Sequence, residues 1–356
     1  MNAVAERLRP LTGHRLFWPV LVLVVMILAN TVHRPGFLSV EVKDGHLYGT
    51  LVDILRLSAP LMLVALGMTL VIATGGIDLS VGSVCAISGA IACLHISQAP
   101  DQNSPSTVFT ALALAFGAAL VLGAWNGVLV AVVGIQPIIA TLILMVAGRG
   151  LAQLVTEGQI ITINSGAYRA IGLGHLLTLP LAVFVALAAA LLIAAFTRRT
   201  ALGLIVESVG GNAEASRLAG IRSGRVIFLV YVLSAACAAV AGFMMTANVS
   251  SADGNAAGLW VELDAILAVV IGGTSLAGGR FSLGGTVLGA LIIQTLTTSV
   301  YAMNISPQTA LLFKAVVVVA VCLIQSPAFR ARFSRRRGGT TPGPAAPRRE
   351  KEQVAA

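Results

Sequence analysis

Long apolar runs separated by short polar segments occupy most of this 356-residue chain. Most of them approach the roughly 20 residues that a helix needs to cross the hydrocarbon core of a bilayer. Because 57% of the residues are hydrophobic and only 10% are charged, a water-soluble fold could not bury the apolar surface. The chain is therefore predicted to be an all-α polytopic membrane protein. We place about ten transmembrane helices at 16–32, 51–73, 81–96, 108–133, 138–155, 176–196, 226–247, 263–279, 283–300 and 308–325.

Three of these runs, 81–96, 263–279 and 308–325, are short or interrupted by polar residues. Irregular backbone inside a membrane is tolerated only where protein or a water-filled cavity satisfies its polar groups. Some of the three are therefore predicted to be broken or re-entrant rather than full crossings.

Basic residues outnumber acidic ones in three segments, 1–15, 198–225 and 329–356. Cytoplasmic loops carry an excess of lysine and arginine, so all three segments are predicted to lie inside the cell. Both termini are then cytoplasmic, which requires the even number of crossings that ten provides. The predicted domains are a cytoplasmic N-terminus (1–15), a transmembrane domain (16–325) and a basic, disordered cytoplasmic tail (326–356).

Motifs of known catalytic and nucleotide-binding sites are missing from the sequence. The chain contains no Gly-x-x-x-x-Gly-Lys-Ser/Thr, no His-Glu-x-x-His and no Gly-x-Ser-x-Gly, the signatures of P-loops, zinc proteases and serine hydrolases. Its five histidines are scattered singly, and its four cysteines have no Cys-x-x-Cys spacing, so the spacing offers no metal site. We therefore expect a non-enzymatic chain without a metal or cofactor of its own.

One apolar segment is interrupted by Gly75 and Gly76, with a carboxylate at Asp78 and a hydroxyl at Ser80. Glycine permits unwound backbone. An ionisable residue inside a membrane is costly unless it has a partner or faces water. The break is therefore predicted to be functional.

The other charged residues of the spans lie near span ends. Asp53 and Arg56 are predicted to pair at i, i+3, and Glu262 and Asp264 are placed at the outer start of the eighth span. Asp78 is therefore expected to be the only carboxylate that lies deep beside a break.

A second glycine break begins at Gly272, 197 residues after Gly75, and each break follows an apolar run. Paired glycine-interrupted spans in corresponding halves indicate an internal two-fold repeat and a transporter's substrate path. A close contact between helices through small residues is the alternative. The predicted path or helix-break residues are Gly75, Gly76, Asp78, Ser80, Gly272, Gly273, Thr274 and Ser275.

The long interior loop between the sixth and seventh spans has the pattern of two short helices. Ala201–Val209 has helical composition, Gly210 and Gly211 end it, and Asn212 caps a second helix with Glu214 in its first turn. The apolar positions of this second part are Ala213, Ala215, Leu218, Ala219 and Ile221. They favour docking into a groove of a partner protein, and a plain solvated connector is the alternative.

Three ordered blocks resemble the permease subunits of ribose-type ATP-binding cassette (ABC) sugar importers of bacteria. They are ATGGIDLS at 73–80, GGNAEA at 210–215 and LDAILAVVIGG at 263–273, and the likeness extends over about residues 52–325. Further segments resemble the galactofuranose permeases of the family more than its ribose permeases: KDGHLYG at 43–49, NAAGLWVELDAILAVVIGG at 255–273 and GGRFSL at 278–283.

The resemblance implies the parts that this chain lacks. A separate ABC ATPase would bind ATP and dock on the coupling loop 198–225, through Gly210, Gly211, Asn212, Glu214, Ala215 and Leu218. A periplasmic binding protein would deliver a monosaccharide such as galactofuranose or a ribose-like sugar. A second permease subunit, identical or different, would complete the pathway in the inner membrane. Two other classes stay open from the residues alone: a proton-coupled secondary transporter with Asp78 as relay, and a membrane-embedded glycan-processing enzyme.

Overall fold

The computed structural model describes residues 16–303 and the single positions 309, 311, 312, 315, 316, 319 and 323. The predicted N-terminal segment 1–15, most of the predicted last span and the tail 326–356 lie outside the described residues. The described helices are α1 Phe17–His33, α2 Thr50–Ala73, α3 Val81–Ser97, α4 Pro105–Ala131, α5 Pro137–Val155, α6 Gly166–Leu173, α7 Leu181–Arg199, α8 Leu202–Gly211, α9 Ala213–Leu218, α10 Ser223–Val249, α11 Val261–Ile271 and α12 Leu283–Ala302.

Six of these helices, α2, α4, α5, α7, α10 and α12, are long and apolar enough to cross a membrane. Helices α1 and α3 are apolar but shorter, with 17 residues each. The chain is therefore mostly helical, and the predicted class of polytopic membrane protein is confirmed.

Helix α2 lies at the centre of the described fold. In its most apolar stretch 78% of the residues are buried, against 17% for α7, so α7 is peripheral and presents apolar side chains outward. Glycines allow α10 to pack closely on its neighbours. A Cβ on Gly67 of α2 would lie 2.9 Å from the Cα of Ser234, and one on Gly123 of α4 would lie 2.6 Å from the Cβ of Ala235. Such small-residue contacts are how helices associate in a bilayer, where burial in lipid gives no hydrophobic driving force.

Short antiparallel strands form where the chain leaves the helices. Strands β1 (Glu41–Lys43) and β2 (His46–Tyr48) form one hairpin. Strand β3 (Ile161–Thr162) pairs with β6 (Ser251–Ala252), and β4 (His175–Leu176) pairs with β5 (Leu179–Pro180). The β4–β5 hairpin corrects the predicted start of the sixth span at residue 176, because α7 begins only at Leu181. Hydropathy alone does not separate an apolar hairpin from the helix that follows it.

The predicted eighth span is also shorter than its apolar run. Helix α11 ends at Ile271, and residues 272–282 form an irregular connection to α12. The glycines that follow Ile271 end the helix, and this second break forms part of the candidate site.

Candidate functional site

The first break separates α2 from α3 by residues 74–80. Gly75 adopts a left-handed conformation with φ +84°. The Gly75 N–H donates to the Ile72 carbonyl at 2.9 Å, and the Gly76 N–H donates to the Val71 carbonyl at 3.0 Å. This is the glycine C-cap in which a left-handed residue satisfies the last carbonyls of a helix. The predicted interruption of the helix at Gly75 and Gly76 is therefore present.

Asp78 lies inside the break and is 2% exposed. Its Oδ1 accepts hydrogen bonds from the backbone N–H of Ser80 at 3.0 Å and from the Ser80 hydroxyl at 2.6 Å, and its Oδ2 accepts from the Ser234 hydroxyl at 2.9 Å. Asn126 Nδ2 donates to Ser80 Oγ at 2.8 Å. Among the described residues the carboxylate has hydroxyl and amide donors and no cationic partner. Asp78 thus links the broken backbone to α4 and α10.

The backbone of the first break is also packed from two sides. A Cβ on Gly76 would lie 2.6 Å from Tyr231 Oη on α10 and 3.2 Å from Val71 Cγ1. On the other side, Thr141 Oγ1 of α5 donates to the Ile77 carbonyl at 3.1 Å. Gly76 is therefore needed for close contact, whereas Gly75 is needed for its backbone conformation.

The second break has the same C-cap hydrogen bonds as the first, but its left-handed residue is the second glycine of the pair and not the first. Gly273 is left-handed (φ +86°), its N–H donates to the Val270 carbonyl at 2.9 Å, and the Thr274 N–H donates to the Val269 carbonyl at 3.2 Å. The residue equivalent to Gly75 is therefore Gly273 rather than Gly272. The offset between the two caps is 198 residues, one more than the 197 residues that separate the glycine pairs in the sequence. An alignment of the two Gly-Gly pairs in the sequence does not reveal which glycine of each pair is left-handed.

The remaining predicted residues of the second break hold its shape. Gly272, the C-cap of α11, has helical backbone angles, and a Cβ there would overlap the backbone of Gly285 in α12. Thr274 Oγ1 accepts from the Ser282 N–H at 3.1 Å, and Ser275 Oγ accepts from the Ala277 N–H at 3.2 Å. Of the eight predicted path or break residues, the exposed ones are Gly75, Gly273 and Ser275, and the buried ones are Gly76, Asp78, Ser80, Gly272 and Thr274.

The two breaks and the loop 198–225 meet at one point. The Gly279 N–H donates to the Ala73 carbonyl at 2.9 Å, and a Cβ on Gly278 would lie 3.1 Å from the Gly75 Cα. A Cβ on Gly210, near the end of α8, would overlap the Ala73 carbonyl oxygen and lie 2.6 Å from the Gly279 nitrogen. We call Ala73, Gly75, Gly210, Gly278 and Gly279 the glycine junction. No local sequence pattern connects these three segments.

The loop 198–225 contains the predicted pair of short helices, but Gly210 and Gly211 are the last two residues of the first helix and do not form a hinge after Val209. Helix α8 ends at Gly211, and Asn212 Oδ1 caps α9 by accepting from the Ala215 N–H at 2.9 Å. Glu214 pairs with Arg217 at 2.6 Å on the exposed side of α9, and the hydrogen bond and charge of Arg217 lower the pKa of Glu214. Leu218 is 77% exposed.

A second carboxylate is also buried, although it lies at the start of α11 and not beside a glycine break. Glu262 is 2% exposed, and a Cβ on Gly82, in the first turn of α3, would overlap its Oε2. Glu262 Oε2 has no hydrogen-bond partner among the described residues. Arg149 holds the preceding segment by donating to the Ala257 carbonyl at 2.5 Å. An acidic residue just before an apolar run usually marks the end of a span that is exposed to solvent. The sequence therefore gives no indication that Glu262 is buried. The predicted pair of Asp53 and Arg56 is confirmed at 3.0 Å.

Ser234, Asn126 and Tyr231 are further site residues that the sequence did not single out. Each is an isolated polar residue in an apolar run, and only the tertiary structure brings it to the first break.

A family model described as branched-chain amino acid transport system / permease component matches residues 50–322. The chain belongs to this permease family. It is 48% identical to a galactofuranose transporter permease protein of Escherichia coli K12, over 88% of this chain and 92% of that relative. It is 38% identical to a fructose import permease protein of Bifidobacterium longum, over 90% of each chain. It is 37% identical to a ribose import permease protein of E. coli K12, over 85% of this chain and 91% of the relative. No solved structure matches the chain.

The predicted membership of the ribose-type ABC permeases is therefore confirmed. The chain is a multi-pass membrane permease of a bacterial import system, and its role as a permease subunit follows from the family.

Proposed function

We propose that this permease forms the membrane pathway of an ATP-driven importer for a monosaccharide, with galactofuranose favoured over a ribose-like sugar. Support for the sugar comes from the relatives, which are named for galactofuranose, fructose and ribose. The relative named for galactofuranose is 48% identical, against 37% for the one named for ribose. The alternative, a proton-coupled transporter with Asp78 as relay, has no such support.

The observation that carries the proposed mechanism is the glycine junction. Helix α8 touches both breaks through Gly210, so a displacement of the loop reaches α2 and the 272–282 connection directly. In this mechanism a separate ABC ATPase docks on Gly210, Gly211, Asn212, Glu214, Ala215 and Leu218. Closure of its ATP-bound dimer moves α8 and α9, and the breaks switch access from one side of the membrane to the other. ATP drives this change only if it binds the two states with different affinity.

Within the two breaks, the exposed residues and the buried residues are proposed to have different roles. Gly75, Gly273 and Ser275 are exposed and are proposed to line the path. Asp78 orders the first break by accepting from the backbone of Ser80 and the hydroxyl of Ser234, and it does not need to touch the cargo. A path of backbone and small side chains suits transport, because tight binding would retain the sugar.

The number of spans, the membrane topology and the partners of the chain are proposed to be those that the sequence predicts. The transmembrane domain 16–325 has about ten transmembrane helices related by a two-fold repeat, and both 1–15 and the tail 326–356 are cytoplasmic. The chain itself is non-catalytic and binds no cofactor, since ATP is bound by the partner ATPase. Its other partners are a periplasmic sugar-binding protein and a second permease subunit, identical or different, in the bacterial inner membrane.

Reconstitution tests the importer proposal. The purified chain is placed in proteoliposomes alone, with its ATPase, and with both the ATPase and the binding protein, and uptake of radiolabelled sugar is measured with and without ATP. Uptake is expected only for the complete system with ATP. Uptake into vesicles that contain this chain alone would contradict the proposal.

The cargo is tested separately by titrating the cognate binding protein with galactofuranose, ribose, fructose and amino acids in a calorimeter. The tightest binding is expected for galactofuranose. A preference for amino acids would overturn the sugar assignment and leave the importer mechanism standing.

A further inference from the structure

An apolar groove opens on the periphery of the fold, between the end of α7, the start of α10 and helix α8. It encloses about 270 Å³. Three of its lining side chains are more than half exposed: Leu192 at 55%, Phe196 at 54% and Leu229 at 59%. The other main lining residues are Leu202, Val206 and Leu233. Because α7 is the least buried of the six long helices, this groove faces the membrane rather than the core.

Four arginines lie close in sequence to the residues at one end of this groove, and two of them, Arg222 and Arg225, also line the neighbouring pocket beside Phe228. Arg198 and Arg199 close α7, directly after the lining residue Thr197, and Arg222 and Arg225 lie at the start of α10, just before the lining residue Val226. All four are exposed. Within residues 16–303 none of them forms an ion pair.

The groove extends away from the arginines, as the acyl chains of a phospholipid extend away from its headgroup. Along α10 the lining residues run from Val226 to Leu233, away from Arg225, which covers about 10 Å at 1.5 Å per residue. Along α7 they precede Arg198. The basic groups therefore lie at the polar end, and the apolar walls extend toward the membrane interior.

We propose that this groove is a binding site for an anionic phospholipid, with one acyl chain between α7, α8 and α10 and the phosphodiester against the four arginines. Basic pockets between transmembrane helices bind anionic headgroups in this way. Glu207 of α8 is the acidic residue nearest in sequence to the lining residue Val206, and it leaves the rim with a net positive charge. A zwitterionic headgroup would bring its own cation to this rim, so phosphatidylglycerol is favoured over phosphatidylethanolamine. The site is independent of the cargo, but it shares α8 and the loop 198–225 with the proposed ATPase contact, so lipid binding is measured on the permease alone.

Native mass spectrometry of the full-length chain, delipidated in detergent and titrated with each of the two lipids, tests the proposal. The wild-type chain is expected to retain phosphatidylglycerol in preference to phosphatidylethanolamine. Each arginine near a surface contributes about fivefold to the affinity for an anionic lipid, so Arg198→Gln/Arg225→Gln is expected to lose about 25-fold. The control Arg34→Gln/Arg169→Gln removes the same charge from two exposed positions elsewhere and should bind as the wild type does.

A second variant acts on the groove and leaves its charge unchanged. Leu229→Trp fills the apolar space, retains all four arginines and is expected to abolish preferential retention of phosphatidylglycerol. Each variant is first shown to be monodisperse with the thermal stability of the wild type, and a variant that fails is replaced by Arg199→Gln or Leu233→Trp. Equal binding of both lipids by the wild type would overturn the proposal. Unchanged binding by both kinds of variant, or a dimer that excludes lipid because a second copy covers the groove, would overturn it too.

Discussion

Replacing Gly76 with alanine tests the geometry of the first break. The added Cβ would meet Tyr231 Oη at 2.6 Å and Val71 Cγ1 at 3.2 Å, so the tyrosine hydroxyl is the main obstacle. Overpacking of this kind costs about 1–3 kcal/mol. Tyr231 Oη has no hydrogen-bond partner among the described residues, so Tyr231→Phe removes the obstacle without breaking a described hydrogen bond.

The double variant Gly76→Ala/Tyr231→Phe should therefore recover most of the stability that Gly76→Ala loses. Thermal unfolding in detergent gives the stability of the wild type, both single variants and the double variant, and the cycle isolates the coupling between the two positions. Gly75→Ala is the matched control. Its Cβ meets nothing within 4 Å, so its cost of about 1–2 kcal/mol comes from left-handed backbone alone and should not change with Tyr231→Phe. Additive effects at Gly76 and Tyr231 would refute the reasoning.

Three further outcomes are expected. Asp78→Asn keeps an oxygen that accepts from Ser80 and an amide that can donate to the Ser234 hydroxyl, so ATP-dependent uptake should fall but persist; abolished uptake with intact ATP hydrolysis would indicate proton relay. Glu214→Arg replaces the ion pair with Arg217 by a repulsion at the start of α9, so abundance should stay normal while ATP hydrolysis stimulated by the complete system is lost; full transport would make the loop a simple connector. Burial, with the charges of His46 and Arg56, lowers the pKa of His175, so the folded state resists protonation and the stability present above the ordinary histidine pKa is lost as pH falls through the lowered value; the melting temperature should fall less between pH 7.5 and 5 in His175→Gln than in the wild type.

Local patterns were sufficient for the elements that depend on local chemistry. The apolar runs predicted α2, α3 and α12 closely, and Asn212 marked the cap of α9 because a side-chain oxygen three residues ahead of a free N–H is a local relation. The same applies to the break at Gly75, since a left-handed C-cap is decided by one residue and its neighbours.

What the sequence could not supply were the contacts between distant segments. The buried position of Glu262 depends on Gly82, about 180 residues earlier in the chain, which has no side chain to exclude it. Likewise, Ser234 becomes the donor to Asp78 only because α10 packs on the first break. The β4–β5 hairpin was missed because an apolar strand and the start of an apolar helix have the same hydropathy.

The central claim is that α8 acts on both breaks through Gly210. Gly210 and Gly211 are adjacent residues of the same helix, yet a Cβ on Gly210 would overlap the Ala73 carbonyl oxygen, whereas one on Gly211 would meet nothing within 4 Å. Alanine favours the helix over glycine at both positions, by at most about 1 kcal/mol, the value for a helix interior.

The ratio of sugar transported to ATP hydrolysed in proteoliposomes with the complete system is therefore the most direct test. Gly211→Ala is expected to keep the wild-type ratio even if weaker docking of the ATPase lowers both rates together, and Gly210→Ala is expected to hydrolyse ATP with little sugar uptake. An unchanged ratio in Gly210→Ala would contradict the account.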